Sequence, residues 1–458
     1  MSNDSTAKMN RMGTDPIPKL LVSMSWPAIL SMTIAALYNM VDSIYVSRIS
    51  QDALTGVSYA MPVQLFIISA AVGTGVGVNS YISRRLGARR YEEANLAASI
   101  SIWLSVFSWL VFLFVGLFLA RPFVGIYTDD EEIFNYGADY LSIVMTLSFC
   151  AFAEINLEKV LQATGNMIAP MIISMSGCIT NIILDPIMIF GLLGFPRMEV
   201  KGAAIATVTG QSVSLLIATI ILKKKSHAIS IDLKNCKIRW DIVKDIYSVG
   251  LPTIVMQSIG SVMLLGYNWI ISPTPGAVAV LGVYFKIESF IFMPVFGLQQ
   301  GALPVFGFNF GAGNKERMIS TFKVSAFIAC IIMMIGTILF QVFPEFFLGL
   351  FDADENMMKI GVNALREISW CFIPAAFGIT METVFQATGH GVYSLMASVI
   401  RQLVGILPLA FILYKLYGIS MTWYSFALAE LLGLLYSTIM LIILYNREIK
   451  TLDNNEFA

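Results

Sequence analysis

The stretch EKVLQATGNM, residues 158–167, returns 224 positions later as ETVFQATGHG, residues 382–391. Three further motifs repeat at the same spacing: Leu86-Gly87-Ala88 with Phe310-Gly311-Ala312, Phe123-Val124-Gly125 with Phe347-Leu348-Gly349, and Asp130 with Asp354. Pro27 and Pro252 are 225 positions apart, so one residue was gained or lost near the start of one copy. The chain is therefore an internal duplication of about 225 residues.

The composition of the chain is that of a membrane protein. It has 458 residues, of which 57% are hydrophobic and only 13% are charged, and its mean hydropathy is +0.75. A soluble domain carries about 25% charged residues, and a helix needs roughly 17–25 apolar residues to cross a bilayer. Twelve such stretches predict an all-α polytopic protein with transmembrane helices at about 20–46, 54–83, 95–120, 136–160, 167–190, 201–222, 245–271, 277–308, 318–342, 358–384, 392–415 and 421–445.

The distribution of basic residues predicts the orientation. Lys and Arg concentrate in cytoplasmic loops, and here they cluster at 84–90 and 223–244. Both termini are therefore expected in the cytoplasm, and the first apolar stretch is too long for a cleaved signal peptide. We predict an N-terminal six-helix lobe at 1–225, a cytoplasmic linker at 226–244 and a C-terminal six-helix lobe at 245–458. Six helices is an even number, so both lobes insert in the same sense as parallel repeats.

Several functional classes find no support in the sequence. The five cysteines are scattered without a C-x-x-C pair, which argues against a disulfide framework or a thiolate metal site. No nucleophile and base pair or phosphate-binding loop is recognisable, so an enzyme is not predicted. Neither a cofactor nor a nucleic-acid partner is expected, because the basic loops are explained by topology and by anionic lipid headgroups. The expected partners are the lipid bilayer and small molecules, and the expected state is a monomer.

Acidic residues inside apolar spans are the first candidates for function. A charged side chain at the centre of a helix in the bilayer costs about 2.5–3.5 kcal/mol or more and is a functional candidate by default. Tyr38 and Asp42 lie four residues apart in the first span, and Asn181 and Asp185 lie four apart in the fifth. Residues at this spacing share one helix face, and Pro186 after Asp185 favours a kink. These groups predict a cation or proton site, and the open alternative for Asp42 is a carboxylate that reaches the outer surface.

The two acids have no acidic counterpart in the second half. The position equivalent to Asp42 is Gly266 or Tyr267, and Asp185 corresponds to Leu409. The duplication therefore preserved the fold and not the pair of acids. If the two carboxyls approach each other away from water, their repulsion favours binding of one proton by the pair.

A second set of residues predicts a site for organic cations. Glu158 and Glu382 are repeat mates before the QATG phrase, and Glu154 lies one helical turn before Glu158. Flexible side chains such as Met293 suit an adaptable apolar pocket. The alternative for the acids is a capping role at a helix end, and the alternative for Met293 is ordinary packing.

Basic residues in the second half keep a rival function open. Lys286 and Glu288, Arg366 and Arg401 lie within predicted spans. If the cations formed an anion-binding cavity, the chain would be a lipid-linked saccharide flippase. A receptor or channel subunit is a third possibility.

The motifs together resemble the multidrug and toxic compound extrusion (MATE) transporters, most closely the bacterial DinF-like and MepA-like branch. The resemblance covers about residues 15–445. It rests on WPAILSMTIAALYNMVDSIYV (26–46), RRLGARRYEEA (84–94), NFGAGNKERM (309–318), the doubled QATG, NIILDP (181–186) and GAAIAT (202–207).

The resemblance implies two lobes in a V shape and alternating-access antiport of organic cations against H⁺ or Na⁺. It implies a coupling-ion site at Asp42, Asn181, Asp185 and Thr207, with Na⁺ held by Asp42 and Asp185 if sodium is the ion. It also implies a bend at Pro27 and drug recognition by Glu158. The seventh span carries Gln257 where the NorM-like branch has an acid.

We therefore predict a multidrug exporter in the cytoplasmic membrane of a bacterium. Its expected substrate-binding residues are Tyr38, Glu154, Glu158, Gln257, Met293 and Glu382. Its expected hinges are Pro27 and Pro186.

Overall fold

A computed structural model describes residues 11–224, 229–351 and 354–452 of the chain. In these residues the secondary structure is helical, and the part of the predicted linker at 226–228 lies outside them. The helices that enter the description below are α1 (Ile17–Ser47), α2 (Gln51–Gly87), α3 (Tyr91–Gly125), α4 (Glu131–Thr146), α5 (Phe149–Ala163), α6 (Ile168–Phe190), α7 (Glu199–Lys224), α8 (Trp240–Ile271), α9 (Ala277–Gly311), α10 (Lys315–Val342), α11 (Pro344–Gly349), α12 (Glu355–Ile368), α13 (Phe372–Ala387), α14 (Gly391–Val399), α15 (Leu407–Tyr417), α16 (Ile419–Thr422) and α17 (Tyr424–Leu444).

The helices confirm the prediction of a twelve-span all-α membrane protein. Eleven continuous or nearly continuous helical stretches are long and apolar enough to cross a bilayer. The twelfth span is the pair α4 and α5, which is bent by 49° at the break between Thr146 and Phe149. The sequence predicted one span over 136–160 at this place, so the bend is the feature that it did not reveal.

The doubled QATG phrase is a helix stop. Helices α5 and α13 each end at the Ala of the phrase, and the Gly that follows has a positive φ, 78° at Gly165 and 93° at Gly389. The next N–H turns back into the helix, from Asn166 to the Leu161 carbonyl (3.3 Å) and from His390 to the Phe385 carbonyl (2.7 Å). This is the left-handed C-cap for which glycine is preferred, so the phrase recurs because both halves end this helix in the same way.

The repeat also preserves a helix start. Asp130 accepts hydrogen bonds from the backbone N–H groups of Glu132 and Ile133 (both 3.0 Å), and its mate Asp354 accepts one from Met357 (2.7 Å). A carboxylate at this position satisfies the free N–H groups of the first helical turn and interacts favourably with the helix dipole. Asp130 and Asp354 therefore have a structural role at the starts of α4 and α12.

Packing divides the described residues into two compact units. Unit 1 contains Leu30–Gly250, and unit 2 contains Met12–Ile29 together with the residues from Leu251 onward. The divisions fall inside α1 and α8, within three residues of the repeat prolines Pro27 and Pro252. Both helices run through their proline without a break. The lobe boundaries at 225 and 245 concern the sequence repeat and stay a prediction.

In both units, two helices cross closely at an equivalent glycine. In unit 1, a Cβ on Gly77 of α2 would overlap the Ile246 carbonyl in the first turns of α8. In unit 2, a Cβ on Gly301, the repeat mate of Gly77, would lie 2.8 Å from the Ser25 hydroxyl of α1. Small residues allow helices in membranes to approach closely and pack well. An ion pair between Arg84 and Asp245 (2.8 Å) adds to the crossing in unit 1.

The described part of the linker is hydrogen-bonded to unit 1. The N–H groups of Ser230 and Asp232 donate to Asn95 Oδ1 (2.8 Å) and Ser99 Oγ (3.0 Å) of α3. The side chain of Asn235 donates to the Asp232 carboxylate (2.7 Å), and this hydrogen bond holds the pKa of Asp232 below its usual range. The linker therefore lies along α3.

Candidate cation site

Asp185 is the centre of a buried polar cluster in unit 1. Its side chain lies on α6 and is 0% exposed, and Asn181, one turn earlier on the same face, is also buried. In the amide orientation that satisfies both ends of Asn181, its nitrogen donates to Asp185 Oδ2 (2.7 Å). Its oxygen then accepts from Thr207 of α7, from the backbone N–H (3.0 Å) and from Oγ1 (3.3 Å). Asn181 thus links the acid of α6 to the hydroxyl of α7.

Asp42 of α1 completes a pair of carboxyls. It lies within hydrogen-bonding range of Asp185, and its Oδ1 is buried without a hydrogen-bond partner among the described residues. Two ionised carboxylates at this separation repel each other, and burial strengthens that repulsion. A proton or another cation between the carboxyls would relieve this repulsion, and the coupling-ion site at Asp42 and Asp185 stays a prediction.

Tyrosines surround the pair. Tyr38, one turn before Asp42 on α1, lies close to the Thr207 side chain. Tyr140 of α4 is buried beside the same acids, and its hydroxyl donates to Gln64 Oε1 of α2 (3.3 Å). The sequence indicated Tyr38 but not Tyr140 or Gln64. Tyr140 and Gln64 are uncharged, so neither stands out as a charge within an apolar span.

A cavity of about 710 Å³ lies beside the helices that carry this cluster. Tyr136 and Asp139 of α4 and Glu199, Lys201 and Ile205 of α7 are among its lining residues. Lys201 pairs with Asp139 (3.2 Å), and Tyr136 donates to Glu199 (2.8 Å). The same two helices supply Tyr140 and Thr207 about one turn further along.

The equivalent place in unit 2 is aromatic. Tyr267, one of the two positions equivalent to Asp42, is fully buried, and its ring packs on Trp423 and Phe426 with centroid distances of 5.9 and 5.0 Å. The Tyr267 hydroxyl donates to the Thr422 carbonyl (3.1 Å). The second half therefore has an aromatic core where the first half has the polar cluster.

Helix α5 carries a second charged group in unit 1. Glu154 and Glu158 share one face, and the Glu154 carboxyl lies near Ser214 of α7, whose hydroxyl donates to the Ile173 carbonyl (2.9 Å). Lys159 is buried next to them, and its Nζ donates to Gln162 Oε1 (3.0 Å). Glu158 Oε1 is buried with no hydrogen-bond partner in the described chain. This free acceptor is available to a ligand cation.

The predicted substrate residues of the second half lie in different surroundings within unit 2. Glu382 on α13 is buried, Met293 on α9 is half-buried, and Gln257 on α8 is exposed.

Pro186 lies within α6, directly after Asp185, and the helix continues to Phe190. These placements leave the substrate and hinge assignments as predictions.

The three cations considered for an anion-binding cavity do not form a group. Lys286 is exposed and lies over the Phe351 ring (5.6 Å). Arg366 pairs with Glu345 (3.9 Å) near the surface, whereas Arg401 is paired with Glu430 (3.4 Å) inside the unit. Each therefore has its own partner, and this does not favour the flippase alternative.

The side chains around Asp42 offer oxygen donors. Carboxylate, amide and hydroxyl oxygens are the donors that hard cations prefer. Among the residues that the structure describes, no three His, Cys, Asp or Glu side chains form a group able to hold a metal ion. Any ion at the site would therefore be bound by the two acids together with neutral oxygens of Asn181 and Thr207.

Comparison with known proteins gives concordant results. The MatE family model matches residues 27–187 and again 252–412, which are the two copies of the repeat. The multidrug export protein MepA of Staphylococcus haemolyticus (strain JCSC1435) is 27% identical over 416 residues, 90% of each chain. The MepA of Staphylococcus aureus (strain MRSA252) is 25% identical over 443 residues, 96% of each chain.

A solved structure agrees with these sequence relatives. The crystal structure of MATE in complex with MaD3S superimposes with a TM-score of 0.89 at 26% identity, covering 96% of this chain and all of the other. The family model covers more than half of the chain, in two copies, and the relatives match along nearly the whole length. The chain therefore belongs to the MatE family of membrane transporters, as the motifs predicted.

Proposed function

We propose that the chain is a secondary active multidrug exporter, which exchanges amphipathic organic cations for H⁺ or Na⁺ by alternating access. The observation that carries this proposal is the buried carboxyl pair of Asp42 and Asp185, linked through Asn181 to Thr207. Family membership and the names of the relatives, multidrug export proteins, support the exporting role.

The coupling follows from the charge of the pair. An ion that binds between Asp42 and Asp185 removes their repulsion and draws α1 toward α6. We propose that this movement is accommodated at Pro27 and Pro186, where the proline removes a backbone hydrogen bond. Exchange of one H⁺ or Na⁺ for one exported monocation moves no net charge, so the concentration gradient of the ion drives it, and a tenfold gradient supplies about 1.4 kcal/mol.

The substrate is proposed to bind through acids and adaptable apolar side chains. Glu158 and Glu382 would attract the positive charge, and Glu154, Tyr38, Gln257 and Met293 would complete the contacts. The proposed setting is the cytoplasmic membrane of a bacterium, with a monomer whose termini both face the cytoplasm.

The test is efflux of ethidium from proteoliposomes that contain the purified protein. A proton gradient and a sodium gradient are imposed separately, so that the driving ion is identified. Wild type is compared with Asp185→Asn, and the matched control is Asp129→Asn, which neutralises an exposed aspartate in the loop before α4.

We expect efflux under one of the two gradients for wild type and for Asp129→Asn, and none for correctly folded Asp185→Asn. Full activity of Asp185→Asn under the same gradient would exclude the carboxyl pair as the coupling site. No efflux by folded wild type under either gradient would reject the exporter itself.

A further inference from the structure

A charged cluster inside unit 2 has a different structure from its counterpart in unit 1. It consists of Glu382 on α13, Arg401 directly after α14, and Glu430 on α17, and we call it the Arg401 cluster. Arg401 Nη1 lies 3.4 Å from Glu430 Oε1. The positive charge of Arg401 also acts on Glu382, and more remotely on Glu288.

The two acids of the cluster are not equivalent. The Glu430 side chain is 8% exposed and is bound to Arg401. Glu382 is also 8% exposed, and among the described residues the ion pair of Arg401 is made with Glu430 and not with Glu382. Glu382 is therefore the member of the cluster that is open to a ligand.

The repeat shows that the second acid came from another helix. Glu382 is the mate of Glu158, but the mate of Glu154 is Gly378. Glu430 Oε1 lies 3.2 Å from the point where a Cβ on Gly378 would be. The carboxylate that α5 supplies in unit 1 is thus supplied by α17 in unit 2, at the equivalent position on the helix.

Each unit consequently holds two acids and one cation around the same helix, of which Lys159, Glu382 and Glu430 are buried and the other three are half-buried. The set in unit 1 is Glu154, Glu158 and Lys159, and the set in unit 2 is Glu382, Glu430 and Arg401. Different residues produce the same formal charge of −1. This agreement suggests that the net charge at this position matters, rather than the identity of any one side chain.

The backbone at Arg401 is arranged for this contact. Residues Ile400–Ile406 form a π-helical segment before Pro408, whereas α6, the equivalent helix of unit 1, is α-helical throughout. π-helical turns are frequent at functional sites. Gly433 of α17 packs against Arg401, since a Cβ there would lie 3.2 Å from Arg401 Cβ. The wide turn and the small residue together let the guanidinium reach Glu430.

We propose that Arg401 is a positioning residue that sets the charge specificity of the substrate site in the second half. It holds Glu430 in an ion pair and leaves the single negative charge of Glu382 for a substrate cation. The inference rests on the proposed export of cations and extends it, because it states how many positive charges this half accepts.

The test uses two matched ligands, ethidium and propidium. They share one ring system, and propidium carries a second quaternary ammonium group. Equilibrium binding to purified protein is measured at alkaline pH without an ion gradient, so that coupling does not enter. The variants are Arg401→Gln, Glu430→Gln and the double variant, which restores the charge of −1 without the ion pair.

For Arg401→Gln we expect the affinity ratio of propidium to ethidium to rise on the order of tenfold, because one uncompensated charge is added a few ångströms from the ligand. For Glu430→Gln both affinities should fall, since Arg401 is then free to pair with Glu382. The double variant should return the ratio to that of wild type.

A purely structural ion pair gives a different result. It would lower the yield of folded protein or both affinities alike, and it would leave the ratio unchanged. An unchanged ratio in folded Arg401→Gln, or no recovery in the double variant, would overturn the inference while leaving cation export intact. If wild type binds neither cation, the proposed function itself fails, and the inference fails with it.

Discussion

Replacing Thr207 by valine is a stringent test of the polar cluster, because it removes one hydroxyl and almost no volume. The hydroxyl is 3.3 Å from the Asn181 oxygen, to which it donates, and it lies close to Tyr38. The hydrogen bond from the Thr207 backbone to Asn181 (3.0 Å) stays in the variant. Asn181 should therefore keep its position while the cluster loses one donor.

The size of the effect follows from the hydrogen bond that is lost. A neutral hydrogen bond contributes about 0.5–1.5 kcal/mol. Since about 1.4 kcal/mol is a factor of ten in affinity, the concentration of coupling ion for half-maximal efflux should rise by roughly 2- to 12-fold. The lower part of this range is expected, because 3.3 Å is a long hydrogen bond.

Thr209 provides the matched control on the same helix. Its hydroxyl donates only to the Ile205 carbonyl of α7 (2.7 Å), within its own helix. Thr209→Val should therefore leave the half-maximal ion concentration close to that of wild type. If both variants behave alike, or if Thr207→Val has no effect on ion dependence, the hydroxyl does not belong to the ion site and the reasoning is refuted.

The remaining predictions concern stability. Gly77→Ala should destabilise the protein by about 1–3 kcal/mol through overpacking, because the new Cβ overlaps the Ile246 carbonyl. Gly282→Ala in α9, where no atom lies within 4 Å of the new Cβ, should instead gain up to about 1 kcal/mol from helix propensity. Opposite shifts of the thermal unfolding midpoint in detergent would verify the pair, and a shift of the same sign would contradict it. Asp245→Asn removes ion pairs with Arg84 (2.8 Å) and Arg85 (3.6 Å). The carboxylate is 28% exposed, so the loss should be below about 1 kcal/mol, and it should shrink at high salt.

The sequence predicted the fold well because its strongest signals are physical requirements of a membrane. Apolar length reveals the spans, and the doubled QATG and Asp motifs mark helix ends that both copies need. The bend between α4 and α5 was missed because Leu147 and Ser148, at the break, are neither glycine nor proline. The π-helical segment at 400–406 was missed for a related reason. The sequence shows Pro408, which has no backbone N–H to donate, but it does not show how the preceding turn changes its hydrogen bonds.

The site was predictable only as far as charge made it visible. Asp42 and Asp185 stand out in apolar spans, whereas Tyr140 and Gln64 are neutral and do not. The position of Glu430 could not be read from the repeat, because it replaces the mate of Glu154 from a different helix. A comparison of the two repeats pairs residues by their position in the sequence. The carboxylate of Glu430 instead occupies the equivalent place in space from a different helix.

The difference between the halves at Asp42 and Tyr267 follows from the opposite demands of packing and ion binding. A buried pair of acids weakens the unit that contains it, whereas the stacked rings of Tyr267, Trp423 and Phe426 contribute apolar burial and aromatic contacts at the equivalent place. The capped helix ends and the close glycine crossings that both halves share do not depend on this position. Duplication thus left one copy of this position free to become a packed core, and the other free to keep the costly charges on which the proposed ion coupling depends.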